Sequence, residues 1–137
     1  MLCAMATAGY SGKALSAKLG VRAGDTVLAL GAPGHYADLL APLPDGASIA
    51  TEASDPAIVH AFVADRAQLA KIAEGLPRLP RAGGMLWVSW PKKSSPLFVD
   101  LAEDGVRAAL LPWGWVDVKV CAVDEDWSGL KFLKRRA

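Results

Sequence analysis

The chain has 137 residues and a mass of 14.4 kDa, the size of one domain with little room for a second. Hydrophobic residues make up 53% and charged residues 21%, which excludes a disordered tail. Against 15 basic side chains stand 14 acidic ones, a net charge of +1 that excludes a dedicated, strongly basic nucleic-acid binder but not a local patch.

Two cysteines, Cys3 and Cys121, are too few for a disulfide framework and fit a reducing cytoplasm. No apolar run approaches the ~18 residues of a membrane-spanning helix. The segment Met1 to Tyr10 has no basic start and no long apolar stretch, so it does not read as a secretory signal. A cytoplasmic protein of one domain over residues 1–137 is expected, with residues 1–12 as a loosely ordered arm.

A short helix is expected around Leu15 and Leu19, four apart, with Gly20 as its stop. Thr26 to Leu30 (TVLAL) is a short apolar run, the first buried strand. Gly31-Ala32-Pro33-Gly34 breaks it, and His35 to Leu40 supplies one or two helical turns before Pro42 and Pro44. Ala47 to Thr51 is a weak second strand, Asp55-Pro56 punctuates, and Ile58 to Val63 is the third strand. Asp65 suits an N-cap, with Leu69, Ile72, Ala73 and Leu76 following at helical spacing until Pro77 and Pro80.

Gly83-Gly84 leads into Met85 to Trp90 (MLWVSW), the expected central strand, which Pro91 ends. Asp100 with Glu103 makes a capping-box pattern, with Leu101, Val106, Ala109 and Leu110 on one face and Gly105 inside the helix. Val116, Val118, Val120 and Ala122 alternate with Asp117, Lys119 and Cys121, a strand with unlike faces. Asp124-Glu125-Asp126 is a turn, and Trp127 to Leu133 returns as an antiparallel partner. Strands alternating with helices predict an α/β fold. Its sheet is mostly parallel and Rossmann-like, covered by helices on both faces, and closed by a C-terminal antiparallel hairpin.

This arrangement resembles the class I S-adenosylmethionine-dependent methyltransferase fold. Leu19-Gly20-Val21-Arg22-Ala23-Gly24-Asp25-Thr26-Val27-Leu28 is similar to the approach to that family's first strand. Arg81-Ala82-Gly83-Gly84-Met85-Leu86 resembles the glycine pair before its late central strand, and Gly114-Trp115-Val116-Asp117-Val118 the start of its terminal hairpin. The resemblance covers most of residues 13–135. The segment between Ile49 and Ile58 is short, so one strand–helix unit of the full fold is expected to be missing. Three further stretches resemble a small bacterial family known only as a domain of unknown function. They are Ala8-Gly9-Tyr10-Ser11-Gly12-Lys13, Leu86-Trp87-Val88-Ser89-Trp90-Pro91-Lys92-Lys93, and the run from Val120 to Lys131 (VCAVDEDWSGLK). That resemblance implies no activity.

The methyltransferase resemblance implies a cofactor site at the carboxyl ends of the strands. It calls for glycines after the first strand, an acid two positions before the first glycine, and an acid ending the second strand for the ribose. Here Gly31 and Gly34 stand in the glycine turn, Ala29 occupies the first acidic place, and Glu52 is the candidate ribose acid. Asp65 falls where the family often places a substrate-facing group, and an N-cap is the simpler reading. The end of the central strand brings Trp90, Lys92, Lys93, Ser94 and Ser95. Two ammonium groups and two hydroxyls suit a phosphate or carboxylate, and an indole suits a flat ring. The same residues also make an ordinary solvated loop with Trp90 in the core. Ser11-Gly12-Lys13 lacks the full phosphate-loop pattern and reads as a helix start.

His60 lies in an apolar strand and reads as a satisfied core histidine. With His35 it is one of only 2 histidines, and no metal-ligand spacing exists. The leading expectation is a non-catalytic protein without a cofactor. It would bind a small anionic or nucleotide-like ligand in one crevice formed by Gly31–Gly34 and Trp90–Ser95. The alternative is a divergent methyltransferase using S-adenosylmethionine at Gly31, Gly34 and Glu52, with Asp65 near the substrate. A third reading is an interaction module working through Trp113 and Trp115 or the hairpin edge, where self-association is open. Lys131, Lys134, Arg135 and Arg136 form a basic end that reads as solvated charge, so neither nucleic acid nor membrane is an expected partner.

Overall fold

The computed structural model describes residues 15–52, 56–74 and 84–134. In chain order its elements are α1 (Leu15–Leu19), β1 (Thr26–Leu30), α2 (Tyr36–Leu40), β2 (Ser48–Ala50), β3 (Ile58–Phe62), α3 (Arg66–Ala73), β4 (Met85–Pro91), α4 (Glu103–Leu110), a 3₁₀ turn (Leu111–Trp113), β5 (Trp115–Ala122) and β6 (Trp127–Lys134). The expected arm over residues 1–12, Ser11-Gly12-Lys13, Asp55, the stop at Leu76, Pro77 and Pro80, Arg81 to Gly83, and the basic residues Arg135 and Arg136 lie outside the described residues.

The strands form one six-stranded sheet in the order β2-β1-β3-β4-β6-β5. The first four are mutually parallel, and β6 joins β4 and β5 antiparallel. Among the described residues no strand or helix lies between β2 and β3, where the sequence pattern also lacks a strand–helix unit.

Strands β3 and β4 are apolar nearly throughout because helices cover both of their faces. On one face Leu86, Val88 and Trp90 of β4 and Val59 and Val63 pack with Leu69 of α3 and Val106 and Leu110 of α4. On the other, Ile58, Phe62 and Trp87 pack with Leu15 and Leu19 of α1 and Tyr36 and Leu40 of α2. The Trp87 indole N–H donates to the Leu19 carbonyl at 3.0 Å, which fastens α1 to the centre of the sheet. Gly129 of β6 lies opposite Ser89. A Cβ at Gly129 would sit 3.2 Å from Ser89 Oγ and 3.3 Å from the Trp87 ring, so glycine lets β6 approach this side of β4.

The helix starts divide. Asp65 caps α3 as expected, accepting the Gln68 backbone N–H at 2.9 Å. The Asp100–Glu103 capping box does not form. Helix α4 starts later than that pattern requires, with Ala102 at the N-cap. Asp100 instead accepts the Arg66 backbone N–H at 3.0 Å and ties the loop before α4 to the start of α3. The alternation expected in β5 is also broken. A register shift between Asp117 and Lys119 puts Val116 opposite Leu133 but Val120 opposite Leu130, so the two valines point to opposite faces. Both are exposed on this edge strand.

Candidate functional site

The turn after β1 is built around Gly31, whose φ of +69° is left-handed. A Cβ there would lie 2.9 Å from the Phe62 carbonyl oxygen at the end of β3. Gly31 is therefore required by both backbone angle and space. Gly34 differs: its φ is not left-handed and nothing lies within 4 Å of its Cβ position. Ala29 is buried in the core on the α1/α2 face. Glu52 follows the end of β2 and is exposed. The register pairs Leu28 with Ala50. Parallel pairing puts the carboxyl ends of β1 and β2 at the same edge of the sheet.

Between this turn and the hairpin, aromatic rings fill the carboxyl edge. Tyr36 meets Phe62 edge-on at 5.3 Å, and Phe62 meets Trp127 edge-on at 5.0 Å. His60 stacks on Phe62 at 4.3 Å. Tyr36 Oη lies 2.7 Å from His60 Nδ1, and His60 Nε2 lies 2.6 Å from Ser89 Oγ. Burial pushes the His60 pKa down to about 3 and the Tyr36 phenol well above its usual range. Both groups are neutral at pH 7, and His60 is the satisfied core histidine expected.

The loops of this edge are tied together. His35, preceding α2, lies 2.9 Å by Nε2 from Asp124 Oδ2 in the β5–β6 turn. Asp124 Oδ1 accepts the backbone N–H groups of Asp126 and Trp127. Ser95 is buried and donates its hydroxyl to Asp126 Oδ1 at 2.9 Å, while the Lys92 backbone N–H donates to the Asp126 carbonyl at 2.8 Å. Ser95 thus serves the loop, and its hydroxyl is already committed. Asp65 is likewise committed to capping α3.

Gly31–Gly34 and Trp90–Ser95, expected to form one crevice, do not together line the cleft at the end of β4. Trp90 belongs to the core on the α3/α4 face, whereas Tyr36, just past Gly34, belongs to the other face. A cleft of about 440 Å³ opens instead between the end of β4 and the start of α4, lined by Trp90, Lys92, Lys93, Glu103, Asp104 and Ser128. Neither Gly31 nor Gly34 reaches it, and Ser94 is exposed outside its lining. Odd-even alternation along β4 is the reason, since it sends Trp90 and Ser89 to opposite faces. Sequence reasoning missed the His35–Asp124 tie and the contribution of Ser128, Glu103 and Asp104, because all of these are long-range pairings. Among the described residues no cluster of metal-ligating side chains exists, and no helix is long and apolar enough to cross a membrane.

No protein-family profile matches the chain. No curated protein matches it either. Solved structures do. Fibrillarin from Aeropyrum pernix, in complex with natively bound S-adenosyl-L-methionine, is 16% identical with a TM-score of 0.58 over 84% of this chain and 69% of its own. The N-methyltransferase NodS from Bradyrhizobium japonicum is 14% identical with a TM-score of 0.59, covering 89% of this chain and 93% of its own. A SAM-dependent methyltransferase from Aquifex aeolicus is 13% identical with a TM-score of 0.60, covering 86% of each chain. At these identities the likeness is one of fold. The chain therefore has the fold of the class I S-adenosylmethionine-dependent methyltransferases, shortened between β2 and β3.

Proposed function

We propose that this protein binds an S-adenosyl nucleoside at the carboxyl ends of β1 and β2, as a divergent methyltransferase. The supporting observations are the left-handed Gly31 turn at the end of β1 and the exposed Glu52 two residues past the end of β2, the strand parallel to β1. Ligands of open α/β sheets sit at such strand ends. A carboxylate accepts both hydroxyl hydrogens of a ribose, and a glycine turn lets a nucleoside approach the backbone. These residues fit the sugar end of the cofactor. Bound there, S-adenosylmethionine would supply an electrophilic methyl group, while Glu52 would orient its ribose. Titration with S-adenosylhomocysteine tests this. Micromolar binding is expected, weakened about tenfold or more by Glu52→Ala, since a charged hydrogen bond contributes roughly 1.5–3 kcal/mol. No heat up to millimolar ligand overturns it.

A second reading is favoured by Ala29, which leaves the cofactor side without its expected acid, and by the Tyr36, Phe62 and Trp127 rings packed at the same edge. In this reading the protein is a non-catalytic accessory that takes a small anionic or nucleotide-like ligand. The same titration separates the two: the accessory reading expects no affinity for S-adenosylhomocysteine.

A further inference from the structure

We infer that the cleft between the end of β4 and the start of α4 is a binding site for a nucleoside monophosphate. This gives the accessory reading its ligand class and does not depend on adenosyl binding at Gly31 and Glu52. The cleft measures about 440 Å³, within the range of small-molecule sites and far larger than inorganic phosphate needs.

Charge separates its two sides. On the α4 side, Arg107 is ion-paired with Glu103, Asp104 and Asp117. On the β4 side, Lys92 and Lys93 have no ion-pair partner among the described residues. Two unmatched lysines lining one cleft favour a dianionic phosphate. Glu103 and Asp104 disfavour a ligand that is anionic throughout, because one guanidinium serves three carboxylates. They suit a ligand whose far end carries hydrogen-bond donors, such as sugar hydroxyls or a base amino group. Trp90, otherwise buried in the core, adds apolar lining, and Ser128 a hydroxyl that donates or accepts. A phosphate, a polyhydroxyl sugar and a flat base in one molecule meet all of these demands.

The test is calorimetry on the full chain with adenosine, cytidine, guanosine and uridine monophosphates, the parent nucleosides, and inorganic phosphate. At least one monophosphate is expected to bind with a submillimolar Kd, at least tenfold tighter than its nucleoside or inorganic phosphate. The Lys92→Ala/Lys93→Ala variant is expected to lose that binding at least tenfold at an unchanged Tm, and to keep any affinity for S-adenosylhomocysteine. Asp104→Asn, at a fully exposed position, is expected to shift base or sugar preference at an unchanged Tm, and an unchanged preference removes Asp104 from the site. No heat with any monophosphate, equal affinity for inorganic phosphate, or unchanged affinity in the double-lysine variant each overturns the assignment. Loss of S-adenosylhomocysteine binding alone leaves it standing.

Discussion

Ser89 Oγ on β4 lies 2.6 Å from His60 Nε2 on β3, and both side chains are fully buried. With Tyr36 on the opposite ring nitrogen, a neutral imidazole uses its one N–H and its one lone pair. Three polar groups are thereby satisfied in an otherwise apolar layer. Ser89→Ala removes one partner and leaves a histidine nitrogen buried and unpaired. Urea unfolding is expected to show a loss of about 1–3 kcal/mol. A loss near zero would mean that this bond contributes nothing.

The same histidine makes stability depend on pH. Its folded pKa is about 3, and its unfolded value is about 6.5. Between these values the unfolded chain binds the extra proton, so stability is fully present above about pH 6.5 and falls as pH drops toward 3. The slope approaches about 1.4 kcal/mol per pH unit. Between pH 6.5 and 5, where carboxylates contribute little, denaturant midpoints are expected to fall in the wild type and to stay flat in His60→Gln.

Gly31 and Gly34 are expected to respond differently to the same change. Gly31→Ala meets a left-handed backbone and the Phe62 carbonyl 2.9 Å away. A destabilisation of about 1–2 kcal/mol or more is expected. Gly34→Ala meets open space, and its effect should lie within about 0.5 kcal/mol. Thermal melts of the two variants check this, and equal effects would remove the structural distinction between them.

Arg107 joins α4 to β5 through Asp117 at 2.9 Å. The bond to Arg107 holds the Asp117 carboxyl below its usual pKa. Its contribution to stability is present above the unfolded carboxylate pKa and is lost as pH falls through the lower folded value. Arg107→Leu should lower Tm at neutral pH, with a difference that shrinks in acid and in high salt. A Tm difference independent of salt would place the effect in packing instead.

Most of the architecture is written in local patterns. Val59, Val63, Leu86 and Val88 lie in short apolar runs that only a sheet buried on both faces accommodates, and Asp65 before Leu69 marks a helix start. Two local patterns misled. Asp100 and Glu103 have capping spacing, yet Arg66 from another element takes the Asp100 carboxylate. Val116 to Val120 alternate in sequence, yet a one-residue shift against β6 divides them between two faces.

The sequence by itself therefore determined the order of strands and helices, the parallel sheet with its terminal hairpin, and the need for glycine after β1. Those properties follow from side-chain period and backbone conformation within a few residues. Tertiary structure alone decided that Trp90 and Tyr36 serve opposite faces, that His35 meets Asp124, and that Lys92 and Lys93 share a cleft with Glu103 and Asp104. The reason is that such contacts depend on how twisted strands and their covering helices bring distant segments together, and no local periodicity encodes that distance.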